Sequence, residues 1–307
     1  MGFINKVNNF LFNKKARFLY LSKIGFFNSM PDKKYIEKKW DTMFSEKLNL
    51  NNPKTFNEKL QWLKLYDRNP LYTTLVDKYE VKKYIADKIG KEYVVPAYGV
   101  WDKFDDIDFD SLPDQFVLKC THDSGGLVIC KDKSAFDRIS AREKIQKSLK
   151  TNYYYSGREW PYKNVKPRVL AEKYMEEADI GDIHDYKFYC FDGEVKALYI
   201  VSERHDLNVE TKHDFFDADY NHLPIFQGHP NAAVPPKKPI NFEKMKELAS
   251  ILSAGIPHVR VDFYEVDGKV YFGEMTFFTY GGFTPFVPEE WDYKFGEWIK
   301  LPEKQTK

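Results

Sequence analysis

The stretch His258–Thr276, HVRVDFYEVDGKVYFGEMT, constrains the fold more than any other part of the chain. Two runs of alternating apolar and polar residues flank Asp267-Gly268, a dipeptide that marks a tight β-hairpin. In the first run Val259, Val261 and Phe263 share one face, and Arg260, Asp262 and Tyr264 share the other. In the second, Val270, Phe272, Glu274 and Thr276 are expected on one face. A carboxylate in mid-strand is costly unless a cation or hydrogen-bond donors balance it. Asp262 and Glu274 therefore have two readings: hard-oxygen ligands of a divalent metal that also holds phosphates, or acids on a solvated sheet face. Register separates them. A two-residue loop pairs Asp262 with Gly273 and sends Glu274 to the opposite face. A three-residue loop, Val266-Asp267-Gly268, pairs Arg260 with Glu274 and sets Asp262 diagonal to it on the same face. The metal reading requires the longer loop or an equivalent bulge.

At 307 residues the chain has room for one large domain or two smaller ones. Its 47 basic and 46 acidic residues leave a net charge of +1, so no nucleic-acid partner is expected. Cys120, Cys130 and Cys190 stand in strand-like runs without CxxC or Cys/His spacing, which favours buried thiols in a reducing compartment over disulfides or zinc. No apolar run reaches the roughly 18 residues of a membrane span, and no signal-peptide pattern is seen; a cytoplasmic location is expected. Residues 1–27 carry Lys6, Lys14, Lys15, Arg17 and Lys23 among Phe and Leu, with no acid before Asp32. Such a segment lies on the inner face of an anionic membrane or packs as a terminal helix on its own domain.

Helical patterns cover Asp32–Phe44, Asn57–Tyr66 and Asp77–Ile89, the last stopped by Gly90. Lys78, in the first turn of that last helix, opposes the helix dipole and is either a phosphate ligand or an exposed lysine. Tyr93–Val100 reads as a strand. Gln115–Cys120 and Leu127–Cys130 read as a strand pair around Thr121–Gly126. The Walker pattern GxxxxGK[ST] is absent. With Lys119 entering it, this loop either covers phosphates through the backbone of Ser124, Gly125 and Gly126 or makes an ordinary turn. Residues 134–150 read as a helix, NYYYSGREWPYKNVKPR (152–168) as an ordered aromatic and basic loop, and Val169–Met175 as a strand. Asp185–Val201 forms a hairpin about Asp192-Gly193 that carries Lys187 among aromatic residues. Residues 203–240 read as loop and 241–255 as a helix.

The ordered set DKYEVKKYIADKIG, FVLKCTHDSGG, REWPY, LAEKY, DYKFYCFDG and HVRVDFYEVDGKVYFGEMTF, between about Asp77 and Leu301, resembles the ATP-grasp superfamily. It is most similar to the TupA-like branch, associated with teichuronopeptide and capsular polysaccharide synthesis. The resemblance implies an α+β fold in which two subdomains with antiparallel sheets grip ATP. On that plan a helical N-terminal region (1–75) precedes a lid subdomain (76–171) and a C-terminal subdomain with the metal site (172–307). Carried over by position, Lys78, Lys119 and Lys187 look like phosphate ligands, Ser124, Gly125 and Gly126 like the flap tip, and Glu172, Lys173 and Tyr174 like the adenine hinge. Asp262, Glu274 and Thr276 would hold Mg²⁺, and Arg260 would face the reacting carboxylate, with Lys119 and Lys187 as further catalytic groups. Superfamily members usually have Asn where Thr276 stands, so a second metal has a shorter ligand here.

The implied activity is ATP-dependent carboxylate–amine ligation through an acyl phosphate, joining an amino acid to a uronic acid of a bacterial surface polysaccharide or its precursor. Arg158, Trp160 and Tyr162 are substrate candidates, because aromatic faces stack on sugar rings and a cation pairs with a uronate. The other reading of these rings is closure of the lid core. Two alternatives stand beside the ligase. One is phosphoryl transfer to a saccharide hydroxyl at the same nucleotide site. The other is a glycosyltransferase, for which Asp108-Phe109-Asp110 has the DxD form without a nucleotide-binding βαβ unit around it.

Overall fold

Alternating β-branched and aromatic residues build two antiparallel sheets in the computed structural model, which describes residues 13–176, 184–203 and 210–304. The first twelve residues of the basic N-terminal segment lie outside the described residues. The smaller sheet contains β1 (Ala97–Trp101), β2 (Phe116–Cys120), β3 (Leu127–Cys130) and β4 (Val169–Lys173) in the order β1-β4-β2-β3. The larger contains β5 (Asp185–Phe191), β6 (Glu194–Ser202), β7 (Lys212–Asp217), β8 (His222–Leu223), β9 (Val259–Val266) and β10 (Lys269–Thr276) in the order β10-β9-β5-β6-β7-β8. Both expected Asp-Gly hairpins form. Asp192 and Gly193 have φ of 48° and 83°, and Asp267 and Gly268 of 50° and 71°, the paired positive values of a type I′ turn.

The register of β9 and β10 differs from both simple alternatives. The loop has two residues, with Val266 opposite Lys269, but the ladder shifts at Gly273 so that Phe272 faces Phe263 and Glu274 faces Asp262. Gly273 takes up the extra residue of a bulge. A Cβ there would come within 3.1 Å of the Tyr264 ring and 3.2 Å of the Asp262 carbonyl oxygen. The bulge does the work assigned to a longer loop, and it also splits the face expected for β10. Val270 and Phe272 lie with Phe263 on the apolar face. Glu274 and Thr276 lie opposite Asp262 and Arg260 on the other.

The apolar face is covered by the helix Phe242–Ser253, which buries Phe242, Met245, Leu248, Ala249 and Leu252 at helical spacing. Each large side chain removed from water in this way stabilises the fold by about 1.5–3 kcal/mol. Part of the opposite face is closed by the helices Phe56–Tyr66 and Glu290–Trp298, with the Phe56 ring 5.8 Å from both Tyr189 and Phe295. Thr55 and Glu58 form a capping box that starts the first of these helices. Gly296 lets the two cross closely, since a Cβ there would fall 2.1 Å from the Lys54 carbonyl oxygen. On the smaller sheet, Ala141 and Ile145 of the helix Arg138–Leu149 pack with Phe116 and Leu118.

Several boundaries move for identifiable reasons. The helix expected from Asp77 runs over Glu80–Lys88, because the Asp77 carboxylate accepts from the backbone N–H of Tyr79 (2.8 Å) and Glu80 (3.2 Å); Lys78 precedes the helix. The helix expected over 134–150 begins at Arg138, capped by Asp137. The strand expected at Tyr93–Val100 is Ala97–Trp101, after a 3₁₀ turn at Lys91–Tyr93. Residues 203–240, expected as loop, supply β7 and β8. KHDFFD hides its strand because Phe215 and Phe216 are buried on opposite faces, so no polar alternation shows. Cys120, Cys130 and Cys190 are free and buried, as expected.

Candidate active site

Strand pairing sets Glu274, Asp262, Lys187 and Tyr199 side by side across β10, β9, β5 and β6. Asp262 is fully buried and accepts from Lys187 Nζ at 2.5 Å, while Asp185 lies 2.9 Å from the same nitrogen. Burial would lower the Lys187 pKa, but the charges of Asp185 and Asp262 outweigh it and hold the ammonium protonated. Arg260 forks onto the same acids. Its Nε donates to Asp262 Oδ1 at 2.7 Å, and Nη1 to the Tyr199 hydroxyl at 3.1 Å. Its Nη2 donates to Asp262 Oδ2 at 2.7 Å, Glu274 Oε1 at 2.9 Å and Thr276 Oγ1 at 3.0 Å.

The three residues named as metal ligands thus converge on one point occupied by a cationic nitrogen. All three donors are hard oxygens, and they fit a small divalent cation. Burial would raise the Glu274 pKa, yet Lys187, Arg260 and Lys78 together bring it down to about 2, so it is ionised at neutral pH. In this arrangement every Arg260 nitrogen is engaged with the acidic face or Tyr199, and Nη1 has one further N–H to offer a reacting carboxylate.

The smaller sheet brings up the remaining lysines. Glu172 is buried on β4 and receives Lys119 Nζ at 2.7 Å and Lys82 Nζ at 2.5 Å. Burial would raise its pKa, but Lys119 and Lys82 outweigh that and lower it. Lys82 escaped the sequence reading, since nothing in it separates Lys82 from its neighbour Lys83, which pairs with Asp87 on an exposed helix face. Lys78 docks on the β2–β3 loop: its backbone N–H donates to the Thr121 carbonyl at 3.1 Å and its Nζ to the Asp123 carbonyl. The Lys173 amide is engaged with the Pro96 carbonyl at 2.9 Å. Lys173, Tyr174 and Met175 line a cavity of about 250 Å³ together with Gln115 and Tyr271, between the end of β4 and the β9–β10 hairpin.

The loop Thr121–Gly126 divides its two glycines. A Cβ on Gly126 would meet Cys120 Sγ and Ser148 Oγ at 2.5 Å, whereas Gly125 is exposed with nothing within 4 Å. Gly126→Ala is expected to lower the melting temperature. Gly125→Val is expected to leave melting unchanged and slow ATP turnover at least about tenfold, because its side chain stands where phosphate would approach the backbone. Calorimetry and ADP release check both; unchanged turnover in Gly125→Val would reduce the loop to a turn.

The aromatic loop divides as well. Tyr162 sits by the acidic site: burial raises its hydroxyl pKa far above the ordinary value, helped by the charges of Glu274 and Glu159. Trp160 is half-buried and stacks on Tyr72 at 5.8 Å. Arg158 goes elsewhere. It is 1% exposed, donates through Nη2 to the carbonyls of Phe27 (2.6 Å) and Met30 (3.2 Å), and lies 4.3 Å over the Tyr35 ring. Expected as a substrate ligand, it ties the N-terminal segment to the loop. Its φ of 56° turns the side chain that way, which a sequence pattern does not reveal. Nothing in the sequence singles out Lys39, Lys64 and Glu159, whose charges meet near Glu274 and Arg260 together with the Tyr153 ring of the aromatic loop.

Residues 58–300 match the sequence family described as TupA-like ATP-grasp. No curated protein matches the sequence. Among solved structures, D-alanine–D-alanine ligase from Bacillus anthracis is similar at 19% identity and a TM-score of 0.38, covering 66% of this chain and 57% of that one. The ATP-grasp ligase PsnB, complexed with a minimal precursor, Mg and ADP, is similar at 12% identity and a TM-score of 0.39, covering 72% of this chain and 57% of that one. D-alanine–D-alanine ligase from Helicobacter pylori gives 13% identity and a TM-score of 0.42, covering 80% and 69%. This chain therefore spans little more than half the length of the first two. The family match runs through both sheets and most of the sequence, and the chain belongs to the TupA-like ATP-grasp family.

Proposed function

We propose that the protein is an ATP-dependent carboxylate–amine ligase that forms an amide through an acyl phosphate, joining an amino acid to a uronic acid of a bacterial surface polysaccharide or its precursor. The observation that carries this reading is the convergence of Asp262, Glu274 and Thr276 on Arg260 Nη2, with Lys187 alongside. A buried ion network of this size adds little net stability over apolar side chains of equal volume. A role in holding charged phosphates accounts for it better.

Each residue then has a part. Lys78, Lys119 and Lys187 neutralise nucleotide phosphates, the backbone of Ser124, Gly125 and Gly126 covers them, and Lys173 and Tyr174 meet adenine in the hinge cavity, with Glu172 orienting Lys119. Asp262, Glu274 and Thr276 would hold Mg²⁺, which when bound draws charge from the transferring phosphoryl group. Arg260, released toward the substrate, steadies the reacting carboxylate. The carboxylate oxygen attacks the γ-phosphorus and ADP leaves; the amine nitrogen then attacks the acyl carbon and phosphate leaves. No side-chain nucleophile is needed, so catalysis rests on positioning and charge stabilisation. Tyr153 and Tyr162, beside Glu274, offer stacking faces for a sugar ring.

ADP release measured over a panel of uronic acids against amino acids, with product mass, tests the reading. An amide product supports it. A phosphate ester on a saccharide hydroxyl would replace it with phosphoryl transfer, and no ADP release with any pair would end it.

The N-terminal helix Lys14–Lys23 supports a peripheral membrane contact in the cytoplasm. Leu19, Tyr20, Ile24 and Phe26 are exposed beside Lys14, Lys15 and Lys23, a mixture suited to an anionic lipid surface. No described helix is long and apolar enough to cross a membrane. Wild-type protein is expected to float with vesicles containing phosphatidylglycerol but not with neutral ones. Ile24→Glu with Phe26→Glu should abolish flotation, and equal flotation of both proteins would remove the contact.

A further inference from the structure

Glu159 is a buried acid that the nucleotide site does not use. It is 5% exposed, and among the described residues its carboxylate accepts no hydrogen bond and has no lysine or arginine nitrogen within 4.0 Å. Facing it are Lys64 and, farther off, Lys39, Arg260 and Glu274, all close enough for their charges to act on it. Lys64 is 1% exposed and donates to the Gly281 carbonyl at 2.5 Å and to Gln61 Oε1 at 3.0 Å, which leaves its third N–H. Lys39 donates to the Ser156 carbonyl at 2.8 Å. Neither lysine has a carboxylate at ion-pair distance among the described residues.

The turn Thr279–Gly282 closes this corner. Tyr280, Gly281 and Gly282 have φ of 52°, 62° and 63°; glycine takes this left-handed form freely, and Tyr280 is the strained residue of the three. A Cβ on Gly282 would strike Gln61 Nε2 at 2.4 Å. Over Gly281 a carbon fits in ordinary contact: the point a Cβ would take lies 3.4 Å from Glu159 Oε1, 3.4 Å from the Phe283 ring and 3.8 Å from Lys64 Nζ. Acid and lysine thus border one small space without pairing. The same corner adjoins the reaction centre, since the Glu159 charge acts on Tyr153 and Tyr162 beside Glu274.

A buried carboxylate without donors and a buried ammonium without an acid are each costly. A ligand bearing both charges relieves both. We propose that this corner receives the head group of an α-amino acid, the amine substrate of the ligase, with its ammonium on Glu159 and its carboxylate on the remaining N–H of Lys64. The assignment rests on the ligase reading, and it names the amine as a zwitterion held at both ends. Glu159 Oε1 and Lys64 Nζ lie within 4 Å of one point over Gly281, a span within reach of an ammonium and a carboxylate one carbon apart, each about 2.8 Å from its partner. Burial raises the Glu159 pKa and pushes Lys64 down to about 7, as expected for charges that lack full compensation.

Titration calorimetry of the full chain with Mg²⁺ and a non-hydrolysable ATP analogue tests this with the twenty common L-amino acids. At least one is expected to bind, with its amide and its N-acetyl derivative each weakened about a hundredfold, the loss of a charge-assisted contact. This ligand series needs no altered protein. Glu159→Gln should weaken the free amino acid to a similar degree with the affinity for the ATP analogue unchanged. Lys64→Met should weaken the amino acid but not its amide. Binding by none of the twenty, or equal binding of acid, amide and N-acetyl forms, would overturn the inference. Amino acids that bind without ADP release in the presence of any uronic acid would sink the ligase reading and leave the site standing. ADP release with an amine whose KM ignores Glu159→Gln would do the reverse.

Discussion

Glu274→Gln is expected to cut Mg²⁺-dependent ADP release at least about a hundredfold, the usual consequence of losing one charge-stabilising contact worth on the order of 3 kcal/mol. The fold should tolerate it. The Glu274 side chain is 39% exposed and shares Arg260 with Asp262, so its loss leaves Arg260 still bound through two nitrogens to Asp262. Asp262→Asn is a different case. Asp262 is fully buried and receives both Arg260 and Lys187, and weakening it leaves two buried cations short of an acid. That substitution is expected to abolish turnover and also to lower unfolding free energy by about 3–5 kcal/mol. Denaturant unfolding alongside ADP release checks the contrast. Turnover at the wild-type rate in Glu274→Gln would remove the metal assignment.

Arg158→Ala carries the second large effect, and it falls on stability. The guanidinium supplies charge-assisted bonds to the carbonyls of Phe27 and Met30 and covers the Tyr35 ring; deleting it removes both bonds and that packing, and leaves the Phe27 carbonyl only the Met30 N–H at 3.0 Å. A loss of about 3–5 kcal/mol is expected. Arg158→Lys should recover little of it, because a single ammonium does not reproduce the planar fork. The KM for a saccharide substrate should not change. Unchanged unfolding with a raised saccharide KM would return Arg158 to the substrate site.

Local chemistry made much of the fold legible. Both Asp-Gly turns, the strands they join and the helix Phe242–Ser253 follow from patterns a few residues long. What stayed hidden depends on partners far away in the chain. The bulge at Gly273 exists only relative to β9, so period 2 alone placed Val270 and Phe272 on the face of Glu274. Phe215 and Phe216 read as loop because their strand is buried on both sides. The candidate site shows the same division. Lys187, Asp262 and Glu274 stood out as charges inside strand patterns, which is unusual enough to notice. Lys82, Lys64 and Lys39 sit in helices rich in ordinary surface lysines, and only packing against Glu172, Gly281 and Ser156 distinguishes them. The aromatic neighbours of Arg158 suggest a sugar platform, whereas its bonds reach back more than a hundred residues to the N-terminal segment, which no local pattern shows.

Oxygen transfer separates the proposed acyl-phosphate route over the Asp262–Glu274 face from its alternatives. A carboxylate substrate labelled with ¹⁸O in both oxygens is incubated with the protein, Mg²⁺, ATP and an amine, and the released phosphate is analysed by mass. The acyl-phosphate route predicts one ¹⁸O in each phosphate formed, with the other retained in the amide. Amide formed with phosphate free of the label, or ADP formed with no free phosphate and the phosphoryl group on a saccharide hydroxyl, would contradict it.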